Sequence, residues 1–473
     1  MSFATPEQGS AGRLWSSNRI SSLILFAAVA LAPLPFGSVN PIFIAGWCVV
    51  LGAALALASP AGLRPAQMLP LAVVGLVAAG FVVVLHDQLS NQRWTDIAPH
   101  PIWSEAGALL KSALEPSVSI AKNEPWFALG KPLINALAFT ASYIVCADRH
   151  RAQQLLRVIA VSGGAYALLG IVQFLIEPTR LLWREKVFYL ASVTGPFVNR
   201  NTAAVYFGSC AIICMLFVMK GLGPDHRGQR VRLRDFWQVS GGAFEGRIRT
   251  LLLGSFATIT LLLAMLMTGS RAGVGASLLG LVAAFTLIKA PDLKGRQSLW
   301  ILLGAAAVAL LVLQFLGGTI GSRFNQSGLV DTARVEAYRS TLRMVDDFPW
   351  LGTGFGTFGW SFPAYRSDAT IWATWQMTHD TLLEIAAEAG LPFAALTIFA
   401  WVLLIAMLIY GIRVRRRDRI VPVVALSVAI VGISHSVVDF SLQIPGYSIA
   451  AFALFGAGVA QCYSSRARPG DLP

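Results

Sequence analysis

Runs of about twenty apolar residues recur along this chain, and that is the length an α-helix needs to cross the hydrocarbon core of a bilayer. They fall at 20–36, 41–58, 68–85, 132–147, 153–176, 202–220, 250–268, 273–289, 299–316, 390–411, 420–437 and 446–462. In lipid, every backbone N–H and C=O must be satisfied within the spanning structure, so only helices and closed barrels are possible. The ten-residue alternation of a barrel strand is absent. The reading is therefore an all-α integral membrane protein with about 12 transmembrane helices. A chain with 55% apolar residues, 13% charged residues and a mean hydropathy of +0.64 has too little polar surface for a soluble domain. The first run follows Arg13 and Arg19 and contains Ala28-Val-Ala30, as a cleaved signal peptide would. Its length exceeds the usual apolar region of such a peptide, and a retained helix is expected.

Lys and Arg concentrate in alternate inter-run segments: Arg13/Arg19, Arg149/Arg151, Arg227 to Arg249, Lys289/Lys294/Arg296 and Arg413 to Arg419. Cytoplasmic loops carry this excess, so both termini are expected in the cytoplasm. The net charge of +13 is then a consequence of topology, and a nucleic-acid partner is not expected. The basic amphipathic segment 227–249, within the basic cytoplasmic stretch 222–249, reads as lying on anionic headgroups. The opposite, periplasmic side receives three long segments, 86–131, 177–201 and 317–389. They contain Trp94, Trp103, Trp126, Trp350, Trp360, Trp372 and Trp375, a density that disordered linkers lack. Such aromatics anchor at the headgroup level or stack on sugar rings.

Cys48, Cys146, Cys210, Cys214 and Cys462 lie in or beside apolar runs without a CxxC spacing. They read as packing residues, with no metal site.

Chemistry is concentrated in a few places. Arg271 stands in Thr268-Gly-Ser-Arg-Ala-Gly273 between two apolar runs, and a guanidinium at a membrane edge is costly unless it meets an anion. Arg200, in Gly195-Pro-Phe-Val-Asn-Arg-Asn-Thr202, occupies the same outer level. His379 is the only histidine of the segment 317–389, and an imidazole there can act as a general base near neutral pH. Glu384 and Glu388 follow at helical spacing, either on a solvated face or as partners of Arg334 or Arg339. Gly354-Phe-Gly-Thr-Phe-Gly359 matches GxGxxG, but no strand precedes it, and a tight irregular turn is expected. His435 and Asp439, four residues apart, are expected to pair and cap the eleventh helix.

Together these motifs resemble the O-antigen ligase and O-antigen polymerase superfamily. The resemblance is carried by Thr268 to Gly273, by Gly-x-Phe-x-Asn-x-Asn at 195–201, by the segment with Arg334, Tyr338 and Arg339 before Leu351-Gly-x-Gly, and by His379-Asp-x-x-Leu-Glu with Glu388-Ala-Gly-Leu. It extends over roughly residues 195–460. It implies a GT-C-like architecture with a large periplasmic loop between helices 9 and 10. The chain then divides into 1–194, with helices 1–5 and the loop 86–131, and a catalytic region 195–473, with helices 6–12 and the loop 317–389. The implied activity is transfer of a glycan from undecaprenyl diphosphate to a hydroxyl, on lipid A-core in ligases and on a growing glycan in polymerases. Arg271 and Arg200 would bind the diphosphate and His379 would activate the acceptor. Arg334, Tyr338, Arg339, Glu384 and Glu388 would line the substrate. The long loop 86–131 and the large basic segment depart from the pattern and leave the acceptor open.

Undecaprenyl diphosphate is a good leaving group, so the reaction needs cations for the developing charge and a base for the acceptor. Arginines can take the part of a divalent ion, and the sequence has no acidic cluster to hold one. A metal-independent, inverting transferase without cofactors, set in a bacterial inner membrane, is expected. A flippase or transporter for lipid-linked sugars is the rival, and it would place ionisable groups at mid-membrane or use paired broken helices.

Overall fold

The structure is a computed structural model and describes residues 7–222, 243–289, 332–368, 370–371, 374–415 and 419–463. The helices are α1 (Glu7–Leu31), α2 (Pro41–Leu57), α3 (Leu69–Leu89), α4 (Ile102–Leu110), α5 (Glu124–Ala128), α6 (Gly130–Val145), α7 (Arg149–Ile176) and α8 (Arg200–Leu222). They continue with α9 (Ala243–Met267), α10 (Arg271–Lys289), α11 (Thr332–Asp347), α12 (Phe358–Ser361), α13 (Thr381–Ala389), α14 (Leu391–Val414), α15 (Ile420–Ser436) and α16 (Pro445–Ala460). Among the described residues the only strands are the two-residue β1 (Arg180–Leu181) and β2 (Arg184–Glu185), an antiparallel hairpin between α7 and α8.

Among the described residues, seven helical segments are long and apolar enough to cross a membrane: Pro65–Leu89, Glu124–Val145, Arg149–Ile176, Arg200–Leu222, Arg247–Met267, Arg271–Lys289 and Leu391–Val414. Four shorter apolar helices accompany them, Ser17–Leu31, Pro41–Leu57, Ile420–Ser436 and Pro445–Ala460. Every apolar run read from the sequence within the described residues is thus helical. The run 299–316, the segment 317–331, Trp372 and most of the basic segment 222–249 lie outside them. The first helix stops at Leu31 rather than at residue 36, because Pro33 and Pro35 have no backbone N–H to donate, and 32–35 continue as turns.

Helices α8, α15 and α16 form the centre, with most of their residues buried, whereas α14 exposes most of its apolar surface, as a lipid-facing helix does. Close packing uses small residues. Gly456 lies against the Phe139 carbonyl with no room for a Cβ, which lets α16 and α6 approach closely. Cys210 packs on Gly163 and Cys462 on Gly411, and all five cysteines are free thiols.

Three further elements sit at the end of the bundle where α8 and α10 begin. The segment 90–129 carries α4 and α5, the hairpin lies between α7 and α8, and α11 to α13 precede α14. Gln88, fully buried at the end of α3, joins two of these layers. Its amide donates to the carbonyls of Leu351 (2.7 Å) and Glu388 (2.8 Å) and accepts from the Phe355 N–H (2.9 Å).

Candidate active site

The two arginines singled out by the sequence are built into matching helix starts. Gly269 ends α9 with φ +63°, Ser270 caps α10 by accepting from the Gly273 N–H (3.1 Å), and Arg271 is the first helical residue. At α8, Asn199 accepts from the Asn201 N–H (2.7 Å) and Arg200 is the first helical residue. A cation opposes the macrodipole at a helix N-terminus, so neither arginine is there for helix stability. Its effect is to add positive charge to donors that already suit an anion. The two helices pack together at this end. Gly273 lies against the Asn201 carbonyl, and an Arg200 guanidinium nitrogen is 3.8 Å from where a Cβ on Gly269 would sit. The Arg200 guanidinium also lies over the Tyr189 ring, 5.0 Å from its centroid.

His379 is held in a left-handed conformation, φ +62°, immediately before α13. That geometry is uncommon for a non-glycine residue and costs about 1–3 kcal/mol, so the surroundings must impose it. Four contacts do so. Asp380 caps α13 through the N–H groups of Leu382 and Leu383 (3.0 Å each), Glu384 accepts from the Thr378 N–H (2.7 Å), and the Tyr338 hydroxyl donates to the His379 carbonyl (3.1 Å). The imidazole, about a quarter exposed, is bordered by Trp375 and Phe440. Its Nδ1 faces the Asp439 carboxylate at 3.4 Å, an ion-pair distance rather than an aligned hydrogen bond.

Asp439 is fully buried and also accepts from the Asn201 side chain and from the Phe440 N–H (2.8 Å). Burial alone would raise its pKa. The contacts with His379, the charge of His435 and the Phe440 N–H outweigh burial and hold it below its ordinary value. The expected His435–Asp439 pair is corrected here. Helix α15 ends at Ser436, so residues 437–439 leave its helical face and Asp439 turns to His379. The ring nitrogens of His435 have no hydrogen-bond partner among the described residues, and the helix end is closed instead by the Asp439 N–H on the His435 carbonyl (2.9 Å).

Glu384 and Glu388 form neither a solvated face nor an ion pair with Arg334 or Arg339. Both are 6% exposed. Glu388 accepts from the N–H groups of Gly356 (2.9 Å) and Phe358 (2.8 Å), and so braces the glycine-rich turn while Glu384 braces the His379 turn. Burial raises both pKa values, and the charge of Glu384 raises Glu388 further, against the N–H donors and nearby Lys131. The turn has positive φ at Gly352, Gly354 and Gly356, and a helix rather than a strand precedes it, so it is not a dinucleotide-binding loop.

On α11, Arg334 donates to the Val438 carbonyl (3.0 Å), next to Asp439, while Tyr338 reaches His379. Arg339, one residue on, faces outward and pairs with Glu336 at 2.5 Å. The structure thus brings Arg334, Tyr338, His379, Asn201 and Asp439 together, while the Arg200 guanidinium lies over Tyr189 and Arg271 heads the helix adjoining that of Arg200. Among the described residues, no three His, Cys, Asp or Glu side chains are grouped to hold a metal ion.

The decisive comparison is with a family model. Residues 256–399 match the family model for O-Antigen ligase. Over that stretch the chain is similar to the O-antigen ligase family. Arg271, Arg334, Tyr338, Arg339, His379, Glu384 and Glu388 lie within the ligase-like stretch, whereas Arg200, Asn201 and Asp439 lie outside it. No curated protein sequence matches the chain.

Proposed function

We propose that this protein transfers a glycan from undecaprenyl diphosphate to an acceptor hydroxyl of lipid A-core at the periplasmic face of the inner membrane. The observation that supports it best is the contact path from the start of α8 to the base: Asn201, next to Arg200, donates to Asp439, and Asp439 faces His379. Arg271 and Arg200, at two adjoining helix N-termini, hold the diphosphate and take up the charge that develops as the anomeric C–O bond breaks. The acceptor oxygen attacks the anomeric carbon from the opposite face and inverts it. Its proton passes to Nε2 of His379, while Asp439 beside Nδ1 fixes the ring and stabilises the imidazolium. The leaving group is undecaprenyl diphosphate, and the arginines make a divalent metal unnecessary.

Arg334, Tyr338, Glu384 and Glu388 serve this reaction by holding backbone. Arg334 fixes 438–439, Tyr338 and Glu384 fix the His379 turn, and Glu388 fixes the glycine turn. Arg339 faces outward toward anionic groups of the acceptor. The test is transfer by the full chain in lipid nanodiscs, from an undecaprenyl-diphosphate-linked glycan to lipid A-core or to a second lipid-linked glycan, with and without EDTA. Transfer to lipid A-core that survives EDTA is expected. Chain extension alone would make the protein a polymerase, and no transfer to either acceptor would remove the proposal.

A further inference from the structure

The far ends of α8 and α10, opposite those headed by Arg200 and Arg271, meet the start of α15 around a recess of about 220 Å³. A Cβ on Gly280 of α10 would collide with Ile212 of α8 and with Val431 and the Ser427 carbonyl of α15, so the three helices are close-packed and the spacing of their ends is set. The walls of the recess are apolar, with Leu216 and Ile420 buried and Met219 and Ile288 half-buried. Its rim is cationic: Lys220, Lys289 and Arg419 each come from a different helix end. None of the described residues that line it is acidic. Lys220 and Lys289 stand in the last turns of α8 and α10, where a cation favours the macrodipole, so helix stability alone would account for them. It does not account for Arg419, which immediately precedes α15 and opposes the macrodipole there. The nearby Arg415 is engaged elsewhere, on the Gln461 side-chain oxygen (3.2 Å) at the end of α16.

We propose that this recess binds the head group of an anionic phospholipid from the leaflet on that side of the membrane. The phosphate sits between Lys220 and Arg419, with Lys289 adding charge, and the first methylenes of an acyl chain lie on the apolar wall. Two features select that occupant. Basic pockets between membrane helices suit lipid head groups, whose phosphate is the anion most abundant at that depth. The apolar wall adjoins the cations, so the fitting ligand carries charge and hydrocarbon in one molecule, which free phosphate does not. The volume takes a glycerophosphate and the start of a chain, and the rest of the lipid stays in the bilayer. Such a ligand ties together the two helices that carry Arg200 and Arg271 at their other ends, and joins both to α15, whose own other end leads to Asp439. A ligand that binds only the packed arrangement stabilises it by mass action.

The test follows thermal unfolding of the full chain in detergent as soluble dioctanoyl phosphatidylglycerol, dioctanoyl phosphatidylcholine or inorganic phosphate is added. Phosphatidylglycerol is expected to bind and raise the melting temperature, while the other two leave it unchanged at the same concentration. Lys220→Gln combined with Arg419→Gln should weaken phosphatidylglycerol binding by about tenfold or more, because two cations facing the head group are lost. Arg249→Gln combined with Arg413→Gln removes as much charge from exposed positions at the same end of the bundle, outside the recess, and should bind as the wild type does. Wild-type affinity in the first pair overturns the proposal. Equal losses in both pairs also overturn it, since they indicate a diffuse field rather than a site, as does equal stabilisation by phosphatidylcholine or by phosphate. A measurement that does not depend on the variants folding uses wild-type protein and a phosphatidylglycerol with a diazirine in its head group. Labelling within 216–220, 288–289 or 419–420 is expected, and labelling confined to other segments overturns the assignment.

Discussion

Replacing Asp439 by Asn tests whether the buried carboxylate works through His379. The substitution keeps size and shape but removes the charge 3.4 Å from Nδ1. Two unit charges at that separation interact by about 5 kcal/mol at an effective dielectric of 20. His379 is 26% exposed, so solvent screens part of this, and roughly 2–3 kcal/mol is a reasonable share to be lost when the imidazole takes up the proton. At about 1.4 kcal/mol per decade, kcat should fall about 30- to 150-fold. The KM for the lipid-linked donor should change by less than about threefold, since the residue meets the base and not the diphosphate. Asn also presents an amide N–H₂ where one of Asn201 and the Phe440 N–H needs an acceptor, so a modest fall in melting temperature is expected beside the kinetic loss. The assay is steady-state transfer in nanodiscs, with thermal unfolding measured on the same preparation. A kcat within threefold of wild type would refute the role given to Asp439, as would a loss appearing only in KM.

Arg271→Lys should fail to restore the transfer lost in Arg271→Ala, because an ammonium lacks the planar fork that meets two oxygens of a diphosphate; near-normal transfer by the lysine variant would reduce Arg271 to a point charge. Glu388→Gln should lower stability by about 1–3 kcal/mol in thermal unfolding, since each carboxylate oxygen accepts a backbone N–H and an amide can serve only one. The pair's raised pKa values fix a sign as well. A carboxyl raised by folding stabilises fully below its unfolded pKa and loses that contribution as pH rises through the folded one. Wild-type stability should therefore decline as pH climbs above the ordinary glutamate range, and Glu388→Gln should flatten the decline; a steeper decline in the variant would count against it. Reporter fusions at Gly107 and Asp347 should read as periplasmic and one at Arg413 as cytoplasmic, and a cytoplasmic signal at Asp347 would reverse the orientation drawn from the basic loops.

The helices were legible because a membrane helix writes its own length in apolar residues, one run at a time. The positions of Arg271 and Arg200 were legible for the same local reason: each interrupts or heads such a run, and each is the first residue of its helix. The Asp439–His379 contact was not, because it joins residues sixty apart that lie on different elements. The nearer His435, at helical spacing, offered a false partner that the end of α15 removes. Glu384 and Glu388 show the same limit from the other side. Acidic residues at i and i+4 on a short amphipathic helix look alike whether they face water or backbone N–H groups, and only the glycine turn folding back over α13 decides it.

That turn explains why the segment around His379 is rich in glycine and buried charge. An imidazole held at φ +62° must be kept there by its surroundings, and flexible side chains on a loop cannot do this. The chain solves it with backbone. Thr353 and Gly354 donate to the carbonyls of Ala387 and Glu388, Glu388 returns two acceptors to the turn, and Gln88 locks both to the end of a membrane helix. The helix that follows His379 is thereby fastened to the end of α3. In the proposed reaction, such a fixed His379 is what attack on a lipid-linked anomeric carbon requires of a base.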